Sequence, residues 1–136
     1  MREAGPAVII HGLADGRTAL APGRPVTLLS APGAALFAGP PWWIALRAAL
    51  AGEHPGFAFD DVLDCGDAPG LAAQALRLGQ GRIVFAATSA GLQSRIAALA
   101  AASGATVQAR PPPALDLACP GAARHLLPWL EGRGAG

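Results

Sequence analysis

A chain of 136 residues is the size of one domain, and it can bury roughly 68% of the surface its unfolded form exposes, so it needs neither disulfide nor metal to fold. Hydrophobic residues make up 52% and charged residues only 14%, against about 25% charged in an ordinary globular chain. That excludes disorder and favours buried faces or a subunit interface. A net charge of +1 gives no electrostatic case for nucleic acid or for an anionic membrane surface as a partner.

Ala7 to Ile10 is apolar on successive residues, the pattern of a strand buried on both faces. Leu13 to Leu20 suits a short helix, stopped by Pro22-Gly23. Pro25 to Leu29 reads as the second strand. It opens an uncharged run, Pro25 to Leu46, of nominal membrane-spanning length. Four prolines and two glycines inside that run favour strand, loop and helix over a membrane span.

Pro41 to Ala51 forms a helix on which Trp42, Trp43, Leu46 and Leu50 share one arc. Val62 to Cys65 is the third strand, Leu71 to Leu78 a helix and Ile83 to Ala86 the fourth strand. Leu92 to Ser103 follows as a helix with Leu92, Ile96 and Leu99 as its stripe, ended by Gly104. Ala105 to Val107 begins a fifth, shorter strand. Two similar tetrapeptides, Ser30-Ala31-Pro32-Gly33 and Asp67-Ala68-Pro69-Gly70, each lie between a strand and a helical run. Ser30 and Asp67 are expected to supply N-cap oxygens there, with proline tolerated in the first helical turn.

After Val107 the character changes. Arg110-Pro111-Pro112-Pro113 suits an extended connector. Leu115, Leu117, Leu126, Leu127, Trp129 and Leu130 are too apolar for a loose tail. They pack back on the body or reach a neighbouring subunit, and residues 132–136 are expected to be disordered. The alternation of strand and helix predicts an α/β domain over residues 1–109, of three-layer Rossmann-like or flavodoxin-like kind, with about five mostly parallel strands. Residues 110–136 form its C-terminal extension.

All ten basic residues are Arg, and the chain has no Lys, Tyr or Asn. It therefore has no Walker A loop, no Schiff-base lysine and no tyrosine acid or base. Gly-x-Gly-x-x-Gly after a strand, His-Glu-x-x-His, Gly-x-Ser-x-Gly and Cys-x-x-Cys are absent too, so the sequence names no cofactor. Cys65 and Cys119 lie 54 positions apart and read as free thiols of a reducing compartment. The N-terminal stretch lacks a signal-peptide core, and a cytoplasmic location is expected.

In an open parallel sheet, ligands bind outside the carboxyl ends of the strands. Those ends hold His11-Gly12, Ser30, Asp64-Cys65-Gly66 and Thr88-Ser89. His11 suits a general base or a ligand contact, because histidine titrates near working pH, or else a rim histidine bonded to a neighbouring loop. Cys65 suits a nucleophile if a helix N-terminus activates it. It suits a core thiol otherwise, and flanking Asp64 and Asp67 oppose the thiolate. Asp60, Asp61, Asp64 and Asp67 with His54 upstream form the only acidic cluster. A hard metal could use two of them, but solvated positions and a helix cap explain them better, and no metal site is expected.

Ser30 and Gly33 frame a turn whose N–H groups suit a phosphate or carboxylate. The first functional expectation is thus a self-associating protein binding a small anionic ligand through His11, Gly12, Ser30, Gly33, Thr88 and Ser89. The second is an enzyme of small-metabolite transfer or hydrolysis, with His11 as acid or base and Cys65 or Asp64 as partner. The third is a ligand-free interaction module using the tryptophan helix and the C-terminal segment.

Overall fold

A computed structural model of the chain describes residues 4–132. The end of the tail expected to be disordered, residues 133–136, lies outside the described residues. In chain order the elements are strand β1 (Ala7–Ile10), helix α1 (Leu13–Leu20), β2 (Thr27–Ser30), a short α2 (Ala34–Phe37), α3 (Pro40–Glu53) and β3 (Asp60–Asp64). They continue with α4 (Pro69–Arg77), β4 (Arg82–Val84), α5 (Ala90–Ala102), β5 (Thr106–Gln108), β6 (Ala114–Asp116), a 3-10 turn (Ala122–His125) and α6 (Leu126–Leu130). The fold is α/β: six parallel strands in the order β5-β4-β3-β2-β1-β6, flanked by helices, consistent with the three-layer Rossmann-like or flavodoxin-like class. There is one strand more than the sequence pattern suggests.

The chain divides into two compact units. Unit 1 comprises residues 1–29, 46–61 and 112–136, and unit 2 comprises residues 30–45 and 62–111. In unit 1, β1 pairs with β6 in the register Ala7 to Ala114, Val8 to Leu115 and Ile9 to Asp116. Its core holds Val8, Ile10, Leu20, Leu28, Leu29 and Leu50, the near-continuous apolar runs of strands covered on both faces. The segment after the triple proline joins this unit. Leu126 and Leu130 are buried, and the Trp129 indole N–H donates to the Ala7 carbonyl at 2.7 Å. In unit 2, β4 lies between β3 and β5, around Leu63, Ile83, Val84 and Phe85. Trp43 is buried, so the arc on α3 is a core face.

Three local expectations are corrected. The third strand starts at Asp60, two residues before its apolar run, because pairing is set by the backbone: the Asp60 N–H donates to the Val26 carbonyl at 3.3 Å. The anticipated side-chain caps are absent. Ala68 is the N-cap of α4 and Gly33, at φ +65°, that of α2, while Ser30 lies inside β2. Finally, the buried residues of α5 are Ile96 and Ala100, and Leu99 is 38% exposed.

Candidate functional site

From β1 to β5 the strands follow one another across the sheet in chain order, and β6 lies on the other side of β1. The order therefore reverses between β1 and β6, the kind of point where open α/β sheets bind ligands outside the strand carboxyl ends. The residues at those two ends, both in unit 1, are His11 and Asp116.

β1 ends at Ile10, and Gly12 is the N-cap of α1. Asp15, in the first turn of α1, reaches back so that its Oδ2 accepts the His11 backbone N–H at 2.9 Å, a variant of the reciprocal capping of helix starts. Asp116 closes β6. Its Oδ1 accepts the Ala118 N–H at 2.9 Å and lies 2.7 Å from His11 Nε2. Partial burial pushes the Asp116 carboxyl up, but the hydrogen bonds from His11 and Ala118 outweigh it and hold the group below its ordinary range. An ionised Asp116 only accepts, so Nε2 carries the proton and donates it. Nδ1 is the other polar edge of the ring, and among the described residues no group hydrogen-bonds it. The His11 and Asp116 side chains are 38% and 32% exposed, within reach of a solute. A carboxylate that fixes the tautomer and orientation of an accessible imidazole is the arrangement of a general base.

The other expected site residues belong to unit 2. The Ser30 hydroxyl is buried; it accepts the Asp64 N–H at 2.9 Å and donates to the Ala31 carbonyl at 3.2 Å. The Asp64 carboxylate accepts the Gly66 N–H at 2.8 Å. Gly66 has φ +56°, and a Cβ there would stand 3.0 Å from Leu36 Cδ1 and 3.8 Å from the Gly33 Cα. Ser30, Asp64 and Gly66 are thus linked, and Gly33 approaches Gly66 closely. Ser89 caps α5, its hydroxyl accepting the Leu92 N–H at 3.2 Å, and Thr88 beside it is exposed. Gln93, missed in the sequence, clamps this loop: it accepts the Ala87 N–H and donates to the Phe85 carbonyl, both at 2.7 Å.

Cys65 is fully buried. Desolvation, helped by the charge of Asp64, pushes its thiol up to about 12, so the thiolate a nucleophile needs is disfavoured. Among the described residues no three His, Cys, Asp or Glu side chains gather in a metal-binding group. His54 is committed elsewhere, its Nδ1–H donating to the Leu50 carbonyl at 2.9 Å. No helix among the described residues is long and apolar enough to cross a membrane.

His11 therefore stands with a partner the sequence reading did not foresee. The available signal was Leu115-Asp116-Leu117, an acid between two leucines that marks a strand end, hidden behind three prolines. Compared with known proteins, the chain matches no family model and no curated sequence.

Proposed function

We propose that the protein binds a small metabolite at the carboxyl ends of β1 and β6, with the His11–Asp116 pair as the polar centre. The observation that carries this reading is the 2.7 Å contact between the two side chains at the point where the strand order reverses. The open Nδ1 edge suits a hydrogen bond with a polar group of the ligand. The Ser30 to Gly33 turn, on which the expectation of an anionic ligand rests, belongs to unit 2 and is not counted in this site. Self-association, argued from composition, and a cytoplasmic location, argued from the widely spaced cysteines, belong to the same reading.

The same pair favours one second reading, catalysis. His11 would take a proton from the substrate during transfer or hydrolysis while Asp116 stabilises the imidazolium that forms. Asp116 then fills the role expected of Asp64 or Cys65.

The test is a ligand-observed NMR screen of mixed small metabolites against the wild type, His11→Gln and Asp116→Asn. The expected result is a ligand whose affinity falls at least ten-fold in His11→Gln while the melting temperature holds. Equal binding by both variants, or unfolding of His11→Gln, would remove the site. Turnover of the bound ligand would decide for the enzyme.

A further inference from the structure

Unit 1 carries a concavity at the amino end of β3, and so at the opposite end of the strands from His11. It is an open groove of about 420 Å³ between the C-terminal half of α3 and the stretch leading into β3. Arg47, Ala48 and Ala51 line it from α3, and Phe57, Ala58, Phe59 and Asp61 from the stretch that follows. The volume lies in the range of small-molecule sites.

The stretch after α3 is set by local chemistry. His54-Pro55-Gly56-Phe57 is a tight turn with the Phe57 N–H on the His54 carbonyl at 3.1 Å. Gly56 has φ +82°, which suits a type II turn with proline before it. The His54 ring bonds the Leu50 carbonyl near the end of α3, fixing the turn to the helix that lines the groove.

Arg47 is the informative residue. Its side chain is only 33% exposed and is ion-paired with the nearly buried Asp61, Nη1 to Oδ1 3.7 Å, a separation beyond hydrogen-bond reach. Among the described residues the Arg47 guanidinium makes no hydrogen bond. A half-buried guanidinium presents a planar fork of donors that matches a carboxylate bidentately. Two phenylalanines and two alanines beside it suit a flat apolar body. The Asp61 charge beside the fork offsets part of the Arg47 charge and opposes anions in general, a dianion more than a monoanion.

We propose that this groove binds a small aromatic monocarboxylate, its carboxylate on Arg47 and its ring against Phe57 and Phe59. This site is independent of the His11–Asp116 reading and stands or falls without it.

The experiment is an amide NMR titration of the full chain with benzoate as the probe. Benzamide serves as a neutral isostere and inorganic phosphate as a bare anion, and Arg47→Gln and Phe59→Ala are titrated in parallel. Benzoate is expected to shift resonances of residues 47–61 saturably within about 10 mM, the millimolar range of so small a ligand. Arg47→Gln should weaken it at least ten-fold, Phe59→Ala several-fold, and benzamide should bind at least ten-fold more weakly. Unchanged spectra elsewhere in both variants report an intact fold. Equal binding of benzoate by Arg47→Gln, equal binding of benzamide, displacement by phosphate, or no shift in this stretch would each overturn the assignment.

Discussion

The two cysteines should behave as different chemical species. Cys119 is exposed and Cys65 buried, so a thiol reagent at pH 8 should label one cysteine in the native protein and two after unfolding. Rapid labelling of both would show that Cys65 is reachable. The raised Cys65 pKa also fixes the sign of an alkaline effect. Its stabilising contribution is complete below the unfolded value of about 8.5 and is lost as pH rises through the folded value of about 12. Cys65→Ala should therefore flatten the decline of stability across that window in urea titrations. Asp116 works in the opposite sense. Its carboxyl is held low, so its contribution is present above the unfolded value of about 3.9 and lost as pH falls through the lower folded one. Asp116→Asn should shallow the acid limb below about pH 4, and an unchanged limb would mean that the pair does not persist in solution.

Among the elements, two glycines set how closely the pieces of unit 1 approach. A Cβ on Gly16 of α1 would strike Leu50 of α3, and Leu50 is fully buried. A Cβ on Gly5 would run into the backbone of Pro25 and Val26. There the Thr27 hydroxyl donates to the Gly5 carbonyl at 2.8 Å and the Thr27 N–H to the Pro6 carbonyl at 3.0 Å. A side chain can turn aside; a backbone cannot. Gly16→Ala also gains up to about 1 kcal/mol of helix propensity against an overpacking cost of about 1–3 kcal/mol. Gly5→Ala has no such offset, so it should lose the more stability, about 2–3 kcal/mol, in denaturant unfolding. The reverse order would show that the segment before β1 is loosely held.

At the scale of the whole molecule, the apolar surplus asks where it goes. Much of it is core, Trp43 included, but Leu36, Phe37 and Leu99 stay well exposed, as do Ala97, Ala98 and Ala101 on α5. Native mass spectrometry should show a multimer, and Leu99→Glu should shift it toward monomer. An unchanged mass would acquit α5 of the contact.

The strands most readable in the sequence are those whose burial writes itself as Val, Ile and Leu: the apolar run Ala7 to Ile10 coincides with β1 residue for residue. β6 was hidden because three residues behind a proline carry no period, and edge strands tolerate proline where central ones do not. With β6 went Asp116, and so half of the candidate site. His11 was readable from its strand, whereas its partner depended on a pairing 105 positions away, which local pattern does not encode.

That pairing also sets a clock. Ala7 lies beside Ala114, and at roughly 5–20 residues per second a ribosome needs about 5–20 s to make the intervening chain. Until then one side of β1 has no neighbour, and an open apolar strand edge is a template for other chains. The hazard in the life of this protein falls while it is being made, and slower translation of the late codons would lengthen it.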